Sequence, residues 1–171
     1  MPQVKFTNQK GLHQVSGRGV IGLRQKVELL SDAGAATTIR SALTVDESGK
    51  IFLVPNLTTG TQTLSLPALS EDSIGCSYRF LVTSNNSTAA IGQIFNLTTP
   101  GSEKIIGLEP KGDGDNTAAG SSTYDVAGFT ASAVMGSAFT ITCISTTAAI
   151  AWVISDVVDG LAANTGSINL A

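Results

Sequence analysis

The sequence predicts an all-β protein: a two-sheet antiparallel sandwich, jelly-roll-like, with an extended N-terminal arm. One observation is the composition, since 20 Thr, 18 Ser and 18 Gly with only 13% charged residues favour strands and turns over helices. The other is a series of roughly eight or nine short alternating runs without helical periods between them. The 171 residues are enough for one domain, predicted at residues 36–171, after an arm of residues 1–35.

The clearest strand signal lies in residues 63–83. Leu64 and Leu66 alternate with polar neighbours until Pro67, which has no N–H to donate to a ladder. After a polar turn the alternation resumes, with apolar side chains at Tyr78, Phe80 and Val82. This pattern predicts a hairpin-like or crossover pair of strands with one apolar face each.

The remaining elements follow from the same alternation and from turn residues. Ahead of the central pair, strands are predicted at residues 36–45 and 50–54, separated by the turn 46–49. Beyond it, strands are predicted at residues 89–97, 103–108, 124–129, 139–144 and 149–154. Residues 111–122 are small and polar, which predicts an exposed loop.

The predicted arm differs from the body in pattern and in charge. Residues 1–35 show no sustained period, and only residues 19–30 suggest a short helix. Residues 1–40 carry six of the ten cations against two carboxylates, a charge of +4, and the rest of the chain carries −7. A segment of this kind either stays disordered or orders against another surface. The residues predicted to bind that partner are Lys5, Lys10, Arg18, Arg24 and Lys26.

Whole-chain properties exclude several partners and settings. A net charge of −3 argues against direct nucleic-acid binding. No apolar run approaches the roughly 18 residues of a membrane span, and the N-terminus lacks the apolar stretch of a secretory signal. The chain is therefore expected to be made in the cytoplasm, with Cys76 and Cys143 as reduced, buried thiols.

Motifs of catalysis or of cofactor binding are weak. Residues 17–22 match G-x-G-x-x-G, the sequence fingerprint of dinucleotide-binding proteins, but no βαβ unit surrounds them. His13 is the single histidine, so neither a zinc set nor a serine triad can be assembled. We therefore expect no cofactor and no enzymatic activity. Asp113 and Asp115 leave a calcium site open, although the spacing of a calcium loop is absent.

Four segments carry a resemblance to a known family. They are G-K-I-F-L-V at residues 49–54, T-L-S-L-P-A-L at 63–69, Y-R-F-L-V-T at 78–83 and A-W-V-I-S-D at 151–156. Together with Gly75 and Gly160 they resemble the small β-sandwich decoration, or cement, proteins of tailed-phage heads. The resemblance covers about residues 36–160 and carries no active-site residues.

The resemblance implies a structural role in the virion. The chain would form a homotrimer on the outer surface of the capsid, at three-fold positions, and would bind across subunits of the major capsid protein. Its alternative is a phage tail-fibre, receptor-binding or glycan-binding module, because similar turns and late strands occur there. That alternative requires exposed aromatic residues, for which Tyr124 and Trp152 are the candidates, although the alternating pattern around Trp152 favours the core.

Overall fold

The computed structural model describes residues 3–7, 11–16, 26–31, 38–58, 60–83, 91, 94–107, 124–131, 133–147, 149–158 and 168–170. These residues contain twelve β-strands and two short 3-10 turns, Val45–Glu47 and Glu71–Ser73, with no α-helix among them. The strands are β1 Gln3–Thr7, β2 Gly11–Ser16, β3 Val27–Leu29, β4 Ile51–Val54, β5 Gln62–Ser65, β6 Ser77–Val82, β7 Phe95–Thr98, β8 Ile105–Ile106, β9 Val126–Phe129, β10 Ala138–Cys143, β11 Trp152–Val158 and β12 Ile168–Leu170. The all-β prediction is confirmed.

The strands form three sheets. Six strands make the larger sheet in the order β3-β4-β6-β10-β11-β8, and four make the smaller one in the order β12-β9-β7-β5. The third sheet is the hairpin β1-β2, in which Lys5 lies opposite His13 and Phe6 opposite Leu12. An isolated two-stranded hairpin is marginally stable in water, so this element needs a supporting surface.

The core lies between the two larger sheets and is built from aromatic rings. The rings of Phe80 in β6 and Phe95 in β7 lie 5.6 Å apart, and those of Phe129 in β9 and Phe139 in β10 lie 5.0 Å apart. Both pairs join the six-stranded sheet to the four-stranded one. Because alternate side chains of a strand point to one face, β4, β5, β6 and β7 each have a buried inward set and a partly exposed outward set.

Several predicted strands are confirmed, notably β4, β5, β6, β10 and β11. Pro55 follows the last residue of β4, as expected of a residue that cannot continue a ladder. The central pair is a crossover rather than a hairpin, because β5 belongs to the four-stranded sheet and β6 to the six-stranded one.

The predicted antiparallel pairing is correct only in part. The pairs β3-β4, β4-β6, β5-β7 and β8-β11 are parallel, and the other described pairs are antiparallel. Alternation reports which face of a strand is buried and carries no information on the direction of its neighbour. The two larger sheets are therefore mixed.

The strand predicted at residues 36–45 is wrong at residues 38–45. Within its described part, Thr38 makes an isolated bridge to Thr63, and the N–H of Leu43 donates to the carbonyl of Ser65 at 2.9 Å. The chain then enters the 3-10 turn Val45–Glu47, where the Glu47 carboxylate accepts from the Thr44 N–H at 3.0 Å. Capping by Glu47 favours a turn here over a continued ladder.

Part of the predicted arm belongs to the body. β3 pairs with β4, with Val27 opposite Ile51 and Leu29 opposite Leu53, and Leu30 is 2% exposed. The helix predicted at residues 19–30 is therefore wrong at Val27–Leu29, and its residues 19–25 lie outside the described ranges. Residues 17–22 and the loop 111–122, with Asp113 and Asp115, also lie outside them.

Candidate interaction surfaces

The outer face of the six-stranded sheet is aliphatic along one side. The residues that form this outer aliphatic face are Val27 and Leu29 in β3, Ile51 and Leu53 in β4, and Leu81 in β6. Val27 and Leu29 are 59% and 64% exposed, and the other three are half-buried. Large apolar side chains grouped on a solvent-facing surface are typical of a protein interaction site.

Strand register places these side chains side by side. Val27 lies opposite Ile51, and Leu29 opposite Leu53, which in turn lies opposite Leu81. Between them, Phe52 and Val54 point to the other side of β4 and are fully buried. Neither face of β4 is polar, although one of them meets solvent.

The charged side chain beside the outer aliphatic face is the cation Arg79. Arg79 is opposite Ile51 and donates a hydrogen bond of 3.3 Å to the Thr140 hydroxyl. No carboxylate occupies an outward position of β3, β4 or β6 in the described part of the chain. The outer aliphatic face thus has a basic rim.

A second apolar surface lies at one end of the same sheet. Ile74, Ile144 and Ile150, here called the isoleucine patch, are 54%, 47% and 40% exposed. Backbone hydrogen bonds bring their segments side by side: Gly75 N–H donates to Cys143 O at 2.9 Å, and Ile144 N–H donates to Ala151 O at 2.8 Å. The patch is formed where β6 begins, β10 ends and β11 begins.

The isoleucine patch has an acidic rim. Glu71 and Asp72 are exposed in the 3-10 turn that leads directly into Ile74. Asp46 is exposed in the other 3-10 turn, whose Val45 carbonyl lies 3.9 Å from the Cys76 thiol. Lys104, whose carbonyl accepts from the Ala151 N–H, is itself paired with Asp125. The balance of charge beside this patch is negative.

Four charged side chains form a closed cluster at the β3 edge, on the inner side of the sheet. This charge cluster consists of Glu28, Arg40, Glu47 and Lys50. Lys50 lies 2.8 Å from each carboxylate, and Arg40 pairs with Glu28 and, at 2.6 Å, with Glu47. Each cation thus bridges both anions, and β3, β4 and the segment around Arg40 are tied together.

The charge cluster also covers the core. Arg40 Cζ and Lys50 Nζ each lie 5.8 Å from the centroid of the Phe52 ring, which is a cation–π distance. Hydrogen bonding by Lys50 lowers the pKa of Glu28 against the opposing effect of burial. Burial raises the pKa of Glu47, but hydrogen bonds from Arg40, Lys50 and the Thr44 N–H outweigh it and bring that pKa to about 2. Both carboxylates therefore stay ionised at neutral pH.

The structure describes two of the five cations that the sequence predicts to bind a partner. Lys26 is exposed immediately before β3, and Lys5 lies in β1 opposite His13. Lys10, Arg18 and Arg24 lie outside the described residues. The structure therefore brings one of the five, Lys26, to a described surface.

Groups suited to catalysis or metal binding do not assemble in the described part of the chain. No cluster of three or more His, Cys, Asp or Glu residues there could hold a metal ion. Cys76 and Cys143 are free and buried, as predicted. Among the described residues, no helix has the length and apolar character needed to cross a membrane.

The aromatic residues offer little to a carbohydrate. Trp152 is fully buried, as the alternation around it predicts, and Tyr124 is half-buried against the core. No exposed aromatic ring occurs among the residues whose side chains the structure describes. A stacking platform for a sugar is therefore not formed by these side chains.

The sequence analysis missed both apolar surfaces. A signal for one was present, because residues 51–54 are apolar without interruption, a pattern of strands covered on both faces. Ile74, Ile144 and Ile150 are separated along the chain and meet only through backbone pairing. No protein-family model matches the sequence, and the search of curated proteins found no match.

Proposed function

We propose that this chain is a structural virion protein that decorates the head of a tailed phage. It sits on the outer capsid surface as a homotrimer and binds across subunits of the major capsid protein. Its body is a two-sheet sandwich related to the jelly roll, preceded by an N-terminal arm. The sequence resemblance over about residues 36–160 and the aromatic core between two sheets support this proposal.

The observation that carries the proposal is the exposure of two separate apolar surfaces on a well-packed body. Val27, Leu29 and Ile74 are each more than half exposed, at the edge and at the end of one sheet. A chain that must contact both its own copies and an underlying lattice needs more than one such surface. An enzyme or a monomeric carrier needs a pocket with converging polar groups instead.

The N-terminal segment adds a second kind of contact. The residues before β3 include Lys5, Lys10, Arg18 and Arg24, which suit an acidic patch on the capsid. In a trimer the segment is present three times, so individually weak contacts multiply through valence. Nucleic acid, membrane and cofactor have no role in this proposal.

Co-sedimentation tests the proposal. Purified protein is mixed with heads of the encoding phage that lack decoration, and separately with its isolated tails, and the pellets are compared. Saturable pelleting with heads alone supports the decoration role. Pelleting with tails alone, or binding to host-cell glycans in place of heads, would favour the tail-fibre and receptor-binding alternative.

A further inference from the structure

We propose that the homotrimer forms when the isoleucine patch of one copy docks on the outer aliphatic face of the next. This inference rests on the trimer of the proposed function and adds its interface. Val27, Leu29, Ile51, Leu53 and Leu81 form one half of the contact, and Ile74, Ile144 and Ile150 form the other. Both halves are present on every chain.

Position in the fold makes the contact head-to-tail. The outer aliphatic face occupies β3, β4 and β6 on the outward side of the sheet, whereas the isoleucine patch lies where β6, β10 and β11 meet at one end. The two patches lie apart on one chain, and a two-fold axis would satisfy both only if both pairings fell within a single interface. A contact between unlike patches closes into a ring when the rotation permits, and three copies make the smallest ring beyond a dimer.

Charge complementarity selects a second copy as the occupant. Arg79 borders the outer aliphatic face, which has no outward carboxylate on its strands in the described residues. Glu71 and Asp72 border the isoleucine patch and make no ion pair within the described part of the chain. Docking brings a basic rim against an acidic rim while the aliphatic side chains are buried. This favours contact between unlike patches over contact between identical ones.

Two exposed positions allow each surface to be altered without disturbing the core. Leu29→Glu places a charge on the outer aliphatic face, and Ile74→Lys places one in the isoleucine patch. Each variant is expected to be monomeric by analytical ultracentrifugation, with a wild-type circular dichroism spectrum and melting temperature. Met135→Lys is the matched control, because Met135 is 47% exposed in a turn outside both surfaces, and it is expected to remain a trimer.

Mixing the two variants tests whether the contact joins unlike patches. The Leu29→Glu chain keeps its isoleucine patch, and the Ile74→Lys chain keeps its outer aliphatic face. A one-to-one mixture is therefore expected to form a heterodimer through one intact contact, with no larger ring. If identical surfaces paired instead, at least one variant would self-associate on its own and mixing would form no heterodimer, which would overturn the proposal.

The charged rims supply an independent measurement. Arg79→Glu and Glu71→Lys are each expected to weaken trimerisation, more at low salt than at high salt, and the chain carrying both is expected to regain it. Trimers that survive both Leu29→Glu and Ile74→Lys would refute this interface while leaving the decoration role intact. If those trimers also failed to pellet with heads, the two surfaces would belong to the capsid contact. If the variants disrupt the trimer as expected but the wild-type protein does not pellet with heads, the decoration role alone is rejected.

Discussion

The Tyr78 hydroxyl donates a hydrogen bond of 2.9 Å to the carbonyl oxygen of Thr44. Tyr78 is fully buried in β6, whereas Thr44 belongs to the segment that joins residue 38 to β4 outside either sheet. Burial raises the pKa of Tyr78, so the phenol keeps the proton it donates. The segment between residue 38 and β4 forms no strand, and this bond and the charge cluster together hold it against the core.

Removing the Tyr78 hydroxyl is expected to loosen that segment. Tyr78→Phe should lower the free energy of unfolding by about 1 kcal/mol, the usual net value of one hydrogen bond. Tyr124→Phe is the control, because the Tyr124 hydroxyl has no hydrogen-bond partner among the described residues, and its change should stay within about 0.5 kcal/mol. Urea titration measures both. Equal stability of the two variants would mean that the Thr44 contact contributes nothing.

The charge cluster predicts a loss of stability in acid. The pKa values of Glu28 and Glu47 are lower in the folded protein than their ordinary value of 4.5, to about 2 for Glu47. The unfolded chain therefore binds protons first, so the stabilisation is complete above pH 4.5 and is lost as the pH falls towards 2. Chemical unfolding across this range measures the slope.

Glu47→Gln isolates the contribution of the cluster. The variant should be less stable at neutral pH by about 1 to 3 kcal/mol, because Arg40 and Lys50 each lose a charged partner. Its stability should also change less between pH 4.5 and 2 than that of the wild type. Glu71→Gln is the matched control at an exposed carboxylate and should follow the wild-type profile. A Glu47→Gln profile parallel to wild type would refute the assignment.

Truncation should distinguish the two parts of the N-terminal segment. Deleting residues 1–25 should leave the body near its original melting temperature, because β3 and the charge cluster remain. Deleting residues 1–30 should lower it clearly, because that removes β3, buried Leu30 and the Glu28 partner of Arg40 and Lys50. Calorimetry of both truncations tests this, and identical melting temperatures would contradict the placement of β3 in the sheet.

Gly128 predicts the behaviour of the smaller sheet. A Cβ atom at Gly128 would lie 1.8 Å from the Phe95 carbonyl oxygen, which is far inside van der Waals contact. Gly128→Ala should therefore disrupt the pairing of β7 with β9 and prevent recovery of folded protein. Val126→Ala, on the same strand at a half-buried position, should fold with a modest loss of stability. A folded Gly128→Ala protein with an unchanged near-ultraviolet spectrum would contradict this register.

Removing the Trp152 ring should be among the most damaging core changes. Trp152→Ala is expected to cost about 3 to 5 kcal/mol, as the loss of a fully buried ring does. Trp152→Phe should cost clearly less, because much of the ring remains and the indole N–H has no acceptor among the described residues. Denaturant titration separates the two, and a stable Trp152→Ala variant that had lost glycan binding would favour the receptor-binding alternative.

Alternation in the sequence was sufficient for the strands that line the core. The positions of Tyr78, Phe80 and Phe139 follow from it because each strand presents one face to the aromatic cluster. It failed at residues 38–45, where Arg40 and Glu47 favour a capped turn and ion pairs over a ladder. β3 was missed because its three residues are too few to show a period.

The candidate surfaces depend on pairings that no local pattern contains. Glu28 and Lys50 meet because β3 runs parallel to β4, with Glu28 opposite Phe52. Leu29 and Leu81 share a face because β4 lies between their strands. Strand order and direction arise from long-range packing. The charge of the N-terminal segment could therefore be read from the sequence, but the pairing of β3 with β4 could not.

Cryo-electron microscopy of purified virions tests the central claim most directly. The account predicts trimeric density of this chain on the outside of the head, at three-fold positions between major capsid subunits. The density should be missing from particles that lack the protein and should return when the purified protein is added. Density confined to the tail or baseplate, or a head surface without this chain, would contradict the account.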